Sequence, residues 1–298
     1  MARLAFLGSP PAAVVALEAL VGAGHDVVLA VTRADARRGR GPAPGPSPVK
    51  RAALDLGIPV THRLAEVTGA RAELGVVVAY GRIVPVAVLD ALAMVNVHFS
   101  LLPRWRGAAP VERAILAGDE ETGVCLMRLE AGLDTGPVLG RVRLGIEDGE
   151  HAGPLTARLA RAGAALLVDG LAGGVEALGP GVPQEGEATY AAKLEPSELR
   201  LDWTRPALEL ERVVRLDRAW TTARHERLRV LEARAEPDPT PGADPPGTLR
   251  GSAVVTGAGL LALLEVQPAG RRPMAAEAWR RGLRPGPGER LGAIGDDR

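Results

Sequence analysis

Asn96 and His98 stand two positions apart in the run Asn96-Val97-His98-Phe99-Ser100-Leu101-Leu102-Pro103, and Gly132-Leu133-Asp134-Thr135-Gly136 follows downstream. An amide, an imidazole and a carboxylate together suit acyl transfer between amines. Imidazole as a side-chain type can move protons near neutral pH. The amide N–H can donate to an oxygen that becomes negative in a tetrahedral intermediate. Asp134, on a loop bracketed by Gly132 and Gly136, could reach back to orient the imidazole. Singly, each residue has a plain alternative, a satisfied histidine at a strand end or an ordinary Gly-Asp-Gly turn. Their order and spacing give the chemical reading its weight.

These groups need elements to position them. Successive strand residues alternate faces, so Asn96 and His98 on one strand share a face. Residues 91–97 are apolar enough for a buried strand, and 100–106, with Pro103, read as the loop leaving it. The pair therefore falls at a strand's C-terminal end, where open parallel sheets bind ligands. The first half alternates predicted strands (3–8, 26–31, 75–80, 93–98) with predicted helices (11–23, 48–56), the pattern of a parallel α/β sheet. Gly8-Ser9-Pro10-Pro11 follows the first strand but forms no G-x-G-x-x-G, which argues against a nicotinamide cofactor.

Further on, 155–171 has helical spacing and is expected to pack on the sheet. From 176 to 206 periodicity gives way to Gly, Pro and charge, the composition of an interdomain connector, with the boundary near 190–205. A helix over 207–216 then precedes strands at 228–233, 247–256 and 260–266, the last two joined by Gly257-Ala258-Gly259. This pattern supports a small all-β domain.

At 298 residues the chain can hold two cores, and its 37 glycines and 25 prolines still lie in the globular range. Lys and Arg total 36 and so do Asp and Glu, so no overall basic field advertises general nucleic-acid binding. Only Lys50 and Lys193 are lysines, so cationic contacts fall to arginine, which suits bidentate phosphate recognition. The single cysteine, Cys125, excludes an internal disulfide, and its apolar setting suits a small core residue better than a nucleophile. The apolar stretch at the start is shorter than a signal-peptide core, and no run approaches about 18 apolar residues. The expectation is a soluble cytoplasmic protein with no membrane contact.

One concentrated positive run exists. Residues 33–51 carry Arg33, Arg37, Arg38, Arg40, Lys50 and Arg51 against Asp35 alone. Their Gly and Pro density predicts a long loop without regular structure, either functional or simply solvated.

The run NVHFSLLPRWRGAAPVERAILAGDEETGVCLMRLEAGLDTGPVL resembles the core signature of the folate-dependent formyltransferases. Arg104-Trp105-Arg106-Gly107-Ala108-Ala109-Pro110 is most similar to the members acting on initiator tRNA, and the likeness extends over residues 4–285. The resemblance implies an α/β protein: a Rossmann-like parallel-sheet formyltransferase domain over 1–189, a linker over 190–205, and a small β-barrel of the OB type over 206–298 that binds tRNA. It implies transfer of the formyl group of 10-formyltetrahydrofolate to the α-amine of methionyl-initiator tRNA by direct attack, in translation initiation, by a monomer needing no metal or nucleotide cofactor.

By the same resemblance Asn96, His98 and Asp134 are catalytic. Arg82, Ile83 and Val84, with Ser100, Leu101, Leu102 and Pro103, meet the folate, and Arg37, Arg38 and Arg40 meet the tRNA acceptor arm. Packing is the alternative for Ile83, Val84, Leu101 and Leu102. Formyl transfer to a small amine, hydrolysis of the folate, and tRNA binding without catalysis stay open as other readings. Some positions depart from the family pattern. Pro42 and Ala43 replace lysines, Pro11 replaces an acid, and Phe99 stands where a small residue is common. The segment 206–298, with 15 arginines against 13 acids, is only weakly basic.

Overall fold

Continuous apolar runs dictate the first sheet. The fold is that of residues 1–37 and 44–292 of a computed structural model. Strands β1 (Arg3–Gly8), β2 (Asp26–Val31), β3 (Ala36–Arg37), β4 (Pro44–Gly45), β5 (Val60–Thr61), β6 (Leu74–Val78), β7 (Met94–His98), β8 (Arg106–Gly107), β9 (Glu121–Arg128), β10 (Val138–Gly145) and β11 (Tyr190–Ala191) interleave with helices α1 (Pro11–Gly22), α2 (Pro48–Asp55), α3 (Val86–Ala91), α4 (Pro110–Ala117) and α5 (Ala152–Leu171). Seven of the strands form one sheet in the order β10-β9-β7-β6-β1-β2-β5. From β7 to β5 the neighbours are parallel, while β9 and β10 run antiparallel, so the sheet is mostly parallel and Rossmann-like.

Every residue of β6 is buried, as is β1 from Leu4 onward, because both faces of the sheet are covered. Leu7, Val31, Val77 and Val88 belong to the core on one face. Helix α5 lies close to β7. A Cβ at Gly163 would fall 2.6 Å from Val97 Cγ1 and 3.2 Å from Val124 Cγ1, so only glycine fits there. Phe99 is buried, with its ring edge 3.7 Å from that same point, so it packs beneath the helix. Helix α2 starts where Ser47 Oγ accepts from the Lys50 backbone N–H at 2.9 Å, with Pro48 as its first residue.

The expected Rossmann-like parallel sheet is present over β5, β2, β1, β6 and β7. Two details were not anticipated. The apolar run of β9 returns through the Gly132–Gly136 turn into β10, making an antiparallel hairpin beside β7. The basic stretch is not devoid of regular structure: β3 and β4 pair antiparallel, Ala36 with Gly45 and Arg37 with Pro44. Nearby, Lys50 Nζ bonds both carboxylate oxygens of Asp35 at 2.9 and 2.8 Å, which neutralises one cation of the run.

The chain packs as two units, one of residues 1–113, 120–146 and 154–192, the other of 114–119, 147–153 and 193–298. In the second, α6 (Ala207–Val214) precedes β12 (Trp220–Ala223), β13 (Glu226–Glu236), β14 (Leu249–Arg250), β15 (Ala253–Val255), β16 (Leu260–Pro268), β17 (Met274–Ala275) and α7 (Ala276–Leu283). These strands make an antiparallel sheet in the order β12-β13-β16-β15-β14, with β17 also on β16. Register shifts at Val230–Glu232 and Glu232–Ala233 break the β13–β16 ladder, and such bulges bend a sheet around its core. That core holds Trp203, Leu210, Val230, Leu261, Val266 and Trp279. Among the described residues no helix is long and apolar enough to cross a membrane.

Candidate functional site

Parallel pairing of β6 with β7 sets Val78 beside Val97, so the segments after both strands leave the sheet at one edge. His98, at that edge, is 5% exposed, and Asn96 on the same face is half-buried. Asp134 comes from the turn between β9 and β10 and is 9% exposed. The three groups meet. Asn96 Nδ2 donates to Asp134 Oδ1 at a long 3.5 Å, and His98 Nδ1 lies 3.7 Å from Asp134 Oδ2.

The second separation is longer than a hydrogen bond. The ring is held from its other side, where His98 Nε2 donates to the Trp105 carbonyl at 2.9 Å. A carbonyl can only accept, so the proton sits on Nε2 and Nδ1 is the atom left for proton exchange. Trp105 adopts φ 62°, and its backbone N–H donates to Thr189 Oγ1 at 2.9 Å, which fixes the peptide that holds His98. Asp134 also stands in the left-handed region, at φ 50°, and its Oδ2 accepts from the Gly107 N–H at 2.8 Å. Gly107 itself has φ 118°, and a Cβ there would fall 2.8 Å from the Ala191 carbonyl.

Sequence reasoning missed the groups that hold this trio. The Trp105 carbonyl and the Gly107 N–H are backbone atoms with no sequence signature. Gln184 and Thr189 lie in a stretch whose composition reads as a connector, yet residues 182–191 belong to the first unit. Val182 bridges to Val138, and β11 runs parallel to β8.

The other candidate residues fall into three groups. Ser100 is fully buried and its hydroxyl donates to the Arg104 carbonyl at 2.6 Å. Leu102 packs with Cys125, Met127 and Val138, while Leu101 is half-buried and Pro103, after a cis peptide bond, is half-buried too. In the segment after β6, Val84 is buried in the core, whereas Arg82 and Ile83 are exposed, Ile83 at 86%. The buried Tyr80 hydroxyl in that segment makes no hydrogen bond of good geometry among the described residues, with the Arg82 guanidinium as its neighbouring polar group. Burial pushes the Tyr80 phenol up, with the Arg82 guanidinium opposing. Arg38 and Arg40 lie outside the described residues, and of Arg37 only the backbone, in β3, is described. Cys125 is buried, which pushes its thiol up and suits a packing role.

The chain matches the formyl transferase family model over residues 2–171 and the model for the formyl transferase C-terminal domain over residues 193–284. This chain belongs to the formyl transferase family. Two relatives carry the likeness over almost the whole length. A methionyl-tRNA formyltransferase of Thiobacillus denitrificans is 45% identical, covering 98% of this chain and 100% of the relative. One of Ruegeria pomeroyi is 43% identical over 97% of this chain and 100% of its own. A solved N-formyltransferase of Helicobacter canadensis, in complex with folinic acid and dTDP-3-aminofucose, shares the fold. It superimposes with a TM-score of 0.67 at 16% identity, over 88% of this chain and 99% of its own. In the formyl transferase chain described above, the first family match takes in Asn96, His98 and Asp134.

Proposed function

We infer that this formyl transferase moves the formyl group of 10-formyltetrahydrofolate to the α-amine of methionyl-initiator tRNA, the reaction that prepares the initiator for translation. The observation that carries this reading is the convergence of Asn96, His98 and Asp134 at the C-terminal end of β7. Likeness to methionyl-tRNA formyltransferases across both units supports the choice of acceptor. In direct transfer the amine nitrogen attacks the formyl carbon and the carbonyl electrons move to oxygen. Asn96 Nδ2 exchanges its long bond to Asp134 for one to this oxyanion, a donor placed where charge develops. His98 Nδ1 takes the proton shed by the attacking nitrogen and returns it to N10 as the C–N10 bond breaks, which releases tetrahydrofolate. Asp134 supplies a fixed negative charge beside the imidazole while it carries that proton.

The folate is assigned to the segments leaving the same sheet edge, Arg82-Ile83-Val84 and Ser100-Leu101-Leu102-Pro103. The residues fit an amphipathic pteridine: the exposed Ile83 offers apolar surface, and the Tyr80 hydroxyl with the neighbouring Arg82 offers polar partners. For the tRNA, Arg37, Arg38 and Arg40 would meet acceptor-arm phosphates, and residues 206–298 would bind further along the molecule. The whole acts as a monomer in the cytoplasm.

The deciding experiment offers the purified protein 10-formyltetrahydrofolate with methionyl-tRNA, and separately with amino sugars or no acceptor. Fast formylation of the tRNA alone is expected. Preference for a small amine, or folate hydrolysis at the same rate without acceptor, would overturn the assignment. For the loop, Arg40→Glu should weaken tRNA binding and flatten its salt dependence, because fewer counterions are released. Superimposable salt curves for wild type and variant would remove the loop from the interface.

A further inference from the structure

Gln184 uses every hydrogen-bonding position of its side-chain amide. Its Nε2 donates to the Asp134 carbonyl at 2.8 Å and to the Gly136 carbonyl at 2.9 Å. Its Oε1 accepts from Arg106 Nε at 3.0 Å and from Arg106 Nη2 at 2.7 Å. The orientation of the amide is fixed by chemistry, since guanidinium nitrogens only donate and backbone carbonyls only accept. This one side chain therefore joins three segments far apart in sequence. It lies on the stretch before β11, grips the turn that carries Asp134, and grips the residue whose neighbour, Gly107, donates to the Asp134 carboxylate.

The turn needs holding. Asp134 sits at φ 50°, a conformation that non-glycine residues adopt sparingly. Its contact with His98 is 3.7 Å and with Asn96 3.5 Å, both long enough that a small shift would abolish them. Gly136 leaves no slack on the other side, because a Cβ there would fall 2.1 Å from the Arg128 carbonyl. A turn with two carbonyls pinned by one amide has a single orientation, and the carboxylate inherits it. We propose that Gln184, braced by Arg106, is a positioning residue for formyl transfer: its amide locks the Asp134 turn so that the carboxylate faces Asn96 and His98.

This rests on the reading that Asp134 takes part in the reaction, and the test separates the two. Gln184→Leu keeps the volume and removes all four bonds. Gln184→Glu keeps the acceptor toward Arg106 but loses both donors to the turn. Each variant is expected to lower kcat by on the order of 10–100-fold, the size of effect that misplacement near 1 Å produces, with KM for 10-formyltetrahydrofolate unchanged. Because Gln184 acts through Asp134, its substitution in an Asp134→Asn background should cost nothing further.

Steady-state formylation of methionyl-tRNA by the full chain, with thermal melting as the folding control, reads the wild type, the two Gln184 variants, Asp134→Asn and the double variants. Wild-type kcat in Gln184→Glu, or an equal fold-loss from Gln184→Leu in both backgrounds, would overturn the positioning role while leaving Asp134 in place. Near-normal turnover in Asp134→Asn alone would instead bring down the parent reading and this proposal with it. Should Gln184→Leu melt below the assay temperature, Gln184→Glu and its double variant carry the same cycle.

Discussion

The two sheets handle their side chains in opposite ways. In the mostly parallel sheet β6 is buried along its whole length, so neither face of the central strands can meet a ligand. Chemistry there is confined to strand ends, and the trio proposed to be catalytic gathers at the end of β7, where the Asp134 turn meets Asn96 and His98. In the antiparallel sheet β13 buries Leu228 and Val230 but exposes Arg227, Glu232, Arg234 and Glu236. One side of that strand is wet along its length and carries both signs of charge. The difference separates a sheet that can place a few groups with little freedom from one that can offer a broad surface. Turnover should therefore depend on single atoms in the first unit and only weakly on any one side chain of the second.

The sharpest way to break this contrast is to remove the imidazole. His98→Ala is expected to reduce kcat by roughly 10²–10⁴-fold, the usual contribution of general acid–base catalysis, with folate and tRNA affinity little changed. Asp134→Asn should fall in the same direction, since its amide keeps the shape and loses the charge. Steady-state kinetics beside equilibrium binding reads both. Turnover near wild type in His98→Ala would show that the strand end does not perform the proton transfer.

Asn96 gives the next effect. Asn96→Ala should lose about 2.7–4 kcal/mol of transition-state stabilisation, as removal of an oxyanion donor does elsewhere. Asn96→Asp should do no better, because a second carboxylate would oppose both the oxyanion and Asp134. If the aspartate variant kept wild-type kcat/KM, the amide would need a role other than donation.

A smaller effect probes the covering of the sheet. Gly163→Ala places a methyl 2.6 Å from Val97 Cγ1, on the residue between Asn96 and His98. Overpacking of this kind costs about 1–3 kcal/mol, so denaturant unfolding should show a lower midpoint with an unchanged slope. An unchanged midpoint would mean that α5 lies less tightly on β7 than the structure has it.

Much of this was legible in the sequence, for reasons that particular residues make plain. β1 and β2 match their predicted bounds because a buried parallel strand is a continuous apolar run between turn residues. The shared face of Asn96 and His98 followed from strand periodicity alone. α4 was not anticipated, and α7 was not either, although Arg280 and Arg281 sit in its last turn and its buried stripe rests on Ala276 and Trp279 alone. The hold on His98 and Asp134 was illegible for a different reason. It runs through the Trp105 carbonyl, the Gly107 N–H and Gln184, two of them backbone and the third 50 residues from the carbonyl it grips. Composition near Gln184 resembles a linker because Gly and Pro serve equally well in a segment that must wind along a site.

The weakest expected effect tests the other half of the contrast. Trp220 lies on β12 with the Arg227 guanidinium 4.4 Å from its ring centre and that of Arg200 at 5.7 Å. A cation over this half-buried indole contributes roughly 0.5–1 kcal/mol, so Arg227→Gln should lower the denaturant midpoint slightly. Its effect on formylation should appear in KM for methionyl-tRNA and not in kcat, because a surface residue of the second unit adds to binding without touching the reacting atoms. If the residue meets a phosphate, the slope of log affinity against log salt should fall by about one; if it only stacks on Trp220, the slope stays and the midpoint alone moves. A loss of kcat comparable with that of His98→Ala would end the division of labour between the sheets, since a single arginine on the wet face would then govern the chemical step.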